Sequence, residues 1–277
     1  MSESKMKISV YGGTGFIGSV FCRKYPGEVV RIDREARDPV TNDILYLIST
    51  TSNYNVLESQ TLDVDVNLSV LMEVLAHCKA HDIVFNYVST GFVYGNDIID
   101  AKEGDYCEPS GFYSITKRCA EQLLISFCET FDVKYRILRL ANVYGTEDQE
   151  GSGKKNALGF LIGLLKENKE INLYDGGDVL RDYLHVEDVC KAIKLVMDKG
   201  ELNTVYNIAS GKPKKFYDII AMAKGFLGSD SVIKSIEAPE FYKKTQAKNF
   251  SLDVSRLKQL GFEEEIALEE GIKILCR

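Results

Sequence analysis

Short apolar runs separated by glycine-rich turns and longer mixed stretches dominate the first half of this chain. Lys7–Tyr11 is a compact apolar run that predicts a strand. Gly12-Gly13-Thr14-Gly15-Phe16-Ile17-Gly18 follows at once, then a helix to about Lys24 and a turn at Tyr25-Pro26-Gly27. Glu28–Asp33 is a second β-rich run ending in an acid, which closes a βαβ unit. Further strands are expected at Ile44–Ser49, at Ile83–Val88 (ending on Ser89 and Thr90) and at Val133–Leu140. Helices are expected at about Asp65–His81 and Ser110–Phe131, the latter with Ile115, Ala120, Leu123, Leu124 and Phe127 on or near one face. The rhythm predicts an α/β fold built on a doubly wound parallel sheet of Rossmann type.

Past residue 145 the pattern changes. Thr146–Asn156 is a polar, glycine-rich loop, followed by a helix at Gly159–Lys166, a short strand at Ile171–Tyr174 and a turn at Asp175-Gly176-Gly177. Leu184–Met197 holds another strand-to-helix transition, and 209–277 mixes short helices and strands. The expected division is a dinucleotide-binding domain over 1–145 plus about 181–208. A smaller C-terminal substrate lobe takes about 146–180 and 209–277.

Composition narrows the partners. With Lys+Arg 34 against Asp+Glu 41, the 277 residues carry a net charge of −7, which disfavours nucleic acid as a ligand. No apolar run approaches the ~18 to 20 residues of a membrane span, and Met1–Lys7 lacks an apolar leader core. The seven cysteines, with no CxxC pair, suggest reduced thiols in a cytoplasmic protein. His77 and His81 are spaced i,i+4 without an HExxH motif, so a surface helix is expected there and no metal site.

The chemistry begins at the glycine turn. Gly12, Gly15 and Gly18 stand between a strand and a helix, where such residues allow a tight turn, close approach to a pyrophosphate, and helix packing. The helix N-terminus offers free N–H groups to phosphate. Asp33 ends the next strand, where a carboxylate meets a ribose 2′-OH and favours NAD over NADP; Arg31 and Arg34 beside it leave NADP open. Tyr113 and Lys117 share a helix face at i,i+4, so the ammonium is expected to favour a phenolate. Alone this spacing is commonplace; after a dinucleotide fold it points to an acid/base. Ser89 and Thr90 stand at the carboxyl edge of a strand, where open sheets bind ligands, although a hydroxyl there also caps strand ends.

Five motifs in order, GGTGFIG (12–18), STGFVYG (89–95), YSITK (113–117), RLANVYG (139–145) and RDYLHVEDV (181–189), give the chain a resemblance to the extended short-chain dehydrogenase/reductases. It resembles in particular their NAD-dependent epimerase/dehydratase group, which acts on nucleotide sugars. The resemblance implies Tyr113 as catalytic acid/base, Lys117 as its partner and ribose ligand, and Thr90 as the hydroxyl beside the sugar O4. It implies cofactor contacts at Gly12, Gly15, Phe16, Ile17, Gly18, Asp33, Asn67 and Ser89, together with Tyr113 and Lys117. Substrate contacts fall on Thr90, Gly91, Asn142 and Arg181, the last meeting the diphosphate unless it forms an ion pair with Asp178 or Asp182. A homodimer through the helices near 67–81 and 113–130 is a further implication.

Three departures qualify the resemblance. Only about a dozen residues separate Asp33 from the strand near Ile44, where the family usually fits a helix and another strand. The family's dehydratases usually carry an acid one or two places after the catalytic hydroxyl, where this chain has Gly91 and Phe92. The usual basic tail segment is replaced by Phe241-Tyr242-Lys243-Lys244-Thr245. The expectation is an NAD-dependent nucleotide-sugar 4-epimerase. The alternative is an NAD(P)H-dependent 4-ketoreductase of a nucleotide-linked sugar. A cofactor-binding regulator and an oxidoreductase on a non-sugar substrate fit the intact residues less well.

Overall fold

The structure, a computed structural model, describes residues 7–79, 82–148, 157–245 and 248–277. In chain order it runs β1 (Ile8–Tyr11), α1 (Phe16–Lys24), β2 (Val29–Arg31), β3 (Asp43–Tyr46), a 3₁₀ turn (Asn53–Leu57) and α2 (Leu62–Val64). A π-helical segment (Asp65–Ser69) joins α2 to α3 (Val70–Ala76). Then come β4 (Val84–Thr90), a 3₁₀ turn (Gly91–Tyr94), β5 (Ile98–Ala101), α4 (Phe112–Phe131), β6 (Lys134–Leu140) and β7 (Asn142–Tyr144). The second half holds α5 (Ala157–Lys166), β8 (Ile171–Tyr174), β9 (Leu180–Arg181), β10 (Tyr183–His185), α6 (Val186–Lys199) and β11 (Thr204–Ile208). It closes with β12 (Lys214–Lys215), α7 (Phe216–Leu227), β13 (Ile233–Ile236), α8 (Glu240–Thr245), β14 (Phe250–Leu252), α9 (Ser255–Gln259) and α10 (Leu268–Cys276).

Six parallel strands form the central sheet in the order β2–β1–β3–β4–β6–β11. Strand periodicity sorts the side chains: Ile8 and Val10 of β1 enter the cluster shared with α1 and α6, and Tyr11 enters the one beneath α3 and α4. The chain runs outward from β1 to β2, then returns past β1 to β3. The carboxyl ends of β1 and β3 therefore flank the switch point at which doubly wound sheets bind ligands.

The return connection is the unusual part. Residues 32–42 contain no helix or strand, so β2 is an edge strand. Side chains of β1 tie this loop down in place of helix packing. The Tyr11 hydroxyl donates to the Arg37 carbonyl at 2.8 Å, and Ser9 Oγ accepts from the Val40 and Thr41 amides at 3.0 and 2.9 Å. Arg37 also reaches Glu73 on α3 at 2.7 Å.

A third apolar cluster gathers α5, β8, α7 and α10 around Leu165, Ile171, Ile219 and Ile272. The tail is divided between clusters. Phe250, Leu252, Val254, Leu257 and Phe262 pack into the sheet's own core, while α7 and β13 before them and α10 after them join the third cluster. In α4, Ala120, Leu124 and Phe127 are buried as expected, but Ile115 and Leu123 point outward at 45% and 39% exposure. With Phe112 they form a second apolar stripe, so the helix has apolar residues on more than its core face. All seven cysteines are free thiols. His77 pairs with Asp38 at 2.7 Å, and His81 lies outside the described residues. Among the described residues no helix is long and apolar enough to cross a membrane.

Candidate active site

The turn after β1 is shaped by what its glycines exclude. Gly12 has φ +77°, in the region that side chains disfavour. A Cβ on Gly18 would stand 2.2 Å from the Gly12 carbonyl oxygen, so α1 can pack on the turn only with glycine there. At exposed Gly15 the nearest atom to a Cβ is that same oxygen at 3.4 Å, which leaves the front of the turn open. Gly15 is also the N-cap of α1, and no side chain caps the helix. Its first N–H groups are thus available to an anion. Phe16 and Ile17 pack their side chains against the core, so their amides are what they offer at the turn. Ile32 N–H still bonds Val10 on β1, and exposed Asp33 follows it at the carboxyl edge. The aliphatic part of Arg31 lies against Gly13. An uncapped helix start, an open glycine turn and a carboxylate beyond the second strand together fit a dinucleotide.

At the carboxyl end of β4, Thr90 stands beside the partly buried Tyr113 side chain, close enough for its hydroxyl to influence the phenol. Burial pushes the Tyr113 phenol up to about 12, and the Thr90 hydroxyl acts in the opposite direction. The expectation that Lys117 lowers this pKa does not hold in the protein alone: Asp63 adds to the rise and no lowering comes from Lys117. Lys117 is 1% exposed; its ammonium donates to the Val88 carbonyl at 2.7 Å and lies 4.2 Å from the centre of the Tyr87 ring. Burial lowers its pKa to about 7, and the nearby Glu121 carboxylate raises it.

The remaining residues implied by the resemblance have partners of their own. Asn67 sits in the π-helical segment, where its amide donates to Thr50 and Thr116 (2.8 and 3.0 Å) and accepts from the Thr50 N–H at 2.9 Å. It therefore ties the end of β3 to α4. Ser89 turns inward and donates to Glu121 at 2.6 Å. Gly91 is buried, and a Cβ on it would meet Phe250 at 2.6 Å and Leu252 at 2.9 Å. Phe92 packs on the Phe250 ring, centroids 4.6 Å apart. Both positions that bear an acid in dehydratases thus face β14.

Near β7 and β9, Asn142 donates its amide to the Asp182 carbonyl at 3.0 Å, and the Arg181 guanidinium reaches the main-chain carbonyls of Leu180 and Lys248. Asp182 turns its carboxylate into the core to accept from Ser210, Gly211 and Leu252, and Asp178 pairs with Lys215.

Two residues escaped the sequence reading. Glu121, fully buried, binds Ser89, Arg118 and Arg139. A signal existed, since a glutamate one turn after Lys117 falls beside Ala120 and Leu124 on the buried face. Asn53 accepts from the Tyr113 N–H at 3.1 Å and donates to the Thr245 carbonyl at 2.7 Å. Nothing local in the sequence marks it.

Fold and site together define a dinucleotide-dependent enzyme with a tyrosine and a threonine hydroxyl at the sheet's carboxyl edge. The family described as "NAD dependent epimerase/dehydratase family" matches residues 8–209, and the chain belongs to that family. A putative UDP-glucose 4-epimerase of Methanocaldococcus jannaschii is 28% identical over 240 residues, 83% of this chain and 75% of that protein. A trifunctional UDP-glucose 4,6-dehydratase/UDP-4-keto-6-deoxy-D-glucose 3,5-epimerase/UDP-4-keto-L-rhamnose-reductase of Arabidopsis thaliana is 31% identical over 195 residues. That match covers 68% of this chain but spans only 28% of the plant enzyme. Among solved structures, the UDP-glucuronic acid 4-epimerase of Bacillus cereus, in complex with UDP-glucuronic acid and NAD, superposes with a TM-score of 0.87. At 21% identity, with 98% of each chain covered, it shows the shared fold.

Proposed function

We propose that this enzyme is an NAD-dependent 4-epimerase of a nucleotide-diphosphate sugar, working as a cytoplasmic homodimer. The observation that carries the reading is the convergence of the Thr90 and Tyr113 side chains at the carboxyl edge, beside positions 91 and 92 that face β14 and offer no acid. Gly12, Gly15, Gly18 and the amides of Phe16 and Ile17 would hold the pyrophosphate of NAD, and Asp33 its ribose. Lys117 would hold the second ribose, on a strand-end floor that Ser89 and Asn67 keep in place. When bound, NAD supplies the hydride acceptor and donor for C4. With NAD bound, its positive nicotinamide ring and the Lys117 ammonium would favour the Tyr113 phenolate over the neutral phenol of the protein alone. That phenolate would take the proton from the sugar 4-hydroxyl through or beside Thr90, and return it to the same oxygen once the 4-keto sugar has turned its other face. The lobe, with Asn142 and Arg181, holds the nucleotide diphosphate, so that remote binding energy orients the sugar.

Dehydration of the sugar at C5 and C6 needs a further acid and base. Gly91 and Phe92 supply neither, and the packing on Phe250 and Leu252 leaves no room for one. The archaeal relative's name is consistent with epimerisation. The apolar row of Phe112, Ile115 and Leu123 on α4, with exposed Met72 on α3, supports a dimer through these helices.

The second reading, a 4-ketoreductase using NADPH, is favoured by Arg31 and Arg34 flanking Asp33 and by the reductase activity in the plant relative's name. Proton NMR of the protein with NAD and a panel of UDP-, GDP-, CDP- and dTDP-hexoses separates the two. An epimer with no lasting NADH absorbance is the expected result. Growth of a C6 methyl signal would refute the argument from Gly91 and Phe92. Inertness toward every 4-hydroxy sugar, with reduced cofactor consumed on a 4-keto sugar, would establish the reductase.

A further inference from the structure

Lys117 is buried to 1% exposure, yet its two immediate partners, the Val88 carbonyl and the Tyr87 ring, are both neutral. A buried ammonium with neutral partners alone tends to lose its proton. One helical turn further along α4 stands Glu121, itself at 0% exposure. Glu121 is held unusually well. Arg139 grips both its oxygens at 3.1 and 2.8 Å, Arg118 adds a bond at 2.8 Å, and Ser89 donates at 2.6 Å. Arg139 is fixed in turn by the Glu103 carbonyl at 3.4 Å and by the Tyr94 ring, 4.6 Å away, with the Cys107 thiol nearby. Tyr87, the floor under Lys117, is held neutral by burial, and its hydroxyl has no partner among the described residues.

We propose that Glu121 is a positioning residue for this site: it is the counter-charge that holds Lys117 as an ammonium, and its tie to Ser89 joins that charge to the strand end presenting Thr90. The proposal rests on the roles given above to Lys117 and Thr90. Arg118 and Arg139 already bond this one carboxylate, and Lys117 stands one helical turn away with its ammonium on the Val88 carbonyl, so the ammonium stays only weakly compensated. Its proton is therefore held close to the edge of loss, and small changes at Glu121 reach it. The opposing influences on Lys117 agree with this, burial lowering its pKa and Glu121 raising it.

The test reads Lys117 directly. In ligand-free protein labelled with ¹³Cε-lysine, the Lys117 titration is followed by NMR, with Lys117→Arg identifying the signal. Glu121→Gln, which keeps shape but removes charge, is expected to move the midpoint down by about one pH unit. It should also weaken NAD binding by calorimetry at pH 8. Glu121→Asp restores the charge and is expected to return the midpoint most of the way. If Glu121→Gln does not fold, Arg118→Ala, at a half-exposed site, carries the test; it takes one cation off Glu121, and the midpoint is expected to rise. An unmoved midpoint in Glu121→Gln, or in Arg118→Ala where that variant stands in, would overturn the proposal and leave Glu121 a purely structural tie. The reading beneath it fails separately: near-native turnover in Tyr113→Phe would refute the roles of Tyr113 and Thr90 without touching the Lys117 midpoint.

Discussion

The two edges of the central sheet both set a carboxylate near an arginine, fully buried at one and half-buried at the other, and they treat the charge differently. At the carboxyl edge, Glu121 is gripped directly by Arg139 through two bonds and is further bonded by Ser89 and Arg118. At the amino edge, Asp43 meets its arginine only through a relay. Asn86 donates to Asp43 at 2.8 Å and accepts from Arg136 at 3.1 Å. Burial pushes the Asp43 carboxyl up to about 6, against the Asn86 bond and the Arg136 charge. Direct pairing preserves a buried charge, and a relay through an amide compensates it only partly. The edge with the direct pair is the one carrying Tyr113, Thr90 and Lys117. The other edge ties strand ends together.

The largest test of that contrast is removal of each arginine. Arg139→Met leaves Glu121 buried and undercompensated, and is expected to cost about 3–5 kcal/mol in urea unfolding. Arg136→Met loses only its bonds to the Gly200 carbonyl and Asn86, at an expected cost of about 1–3 kcal/mol. Equal losses would mean that the relay compensates Asp43 as well as the direct pair compensates Glu121.

Next in size is the catalytic consequence. Tyr113→Phe is expected to lower turnover by at least about 100-fold while leaving the melting temperature and NAD affinity near native. A comparable fall in turnover from Arg136→Met, measured in the same assay, would erase the division of labour between the edges.

The smallest effect is a pH dependence at the amino edge. The Asp43 pKa rises from 3.8 to about 6 on folding, so its contribution to stability is fully present below 3.8 and is lost as pH rises through 6. Asp43→Asn removes that loss. The stability difference between Asp43→Asn and the native protein should shift in favour of the variant by roughly 1–2 kcal/mol between pH 4 and pH 8. Subtracting the two melting curves cancels the other carboxylates, and a flat difference would show that Asp43 is well compensated after all.

Several features of this protein were legible in the sequence because their causes are local. Short apolar runs bounded by turn residues mark the sheet strands, and Gly12 and Gly18 are demanded by one tight turn whose backbone allows no side chain. Tyr113 and Lys117 share a face because a helix brings i and i+4 together. The shortened stretch after Asp33 could be counted in advance. That a loop tied to Ser9 and Tyr11 would cross β1 there could not, since those bonds exist only once β1 lies between β2 and β3.

Tertiary structure alone decided the rest. Ser89 looks like a ligand-facing hydroxyl at a strand end, yet it turns inward because Glu121 and Arg139 form an anionic acceptor and its clamp beneath it. Gly91 looks like room for a substrate, yet Phe250 and Leu252 arrive from the far end of the chain to fill it. Asn53 carries no motif and still bridges Tyr113 to Thr245. Backbone conformation and helix periodicity depend on neighbours within a few residues, so the sequence by itself determined the turn, the strands and the Tyr113–Lys117 face. The direction of a buried polar side chain depends on which partner remains once water is excluded, and only the folded chain supplies that partner.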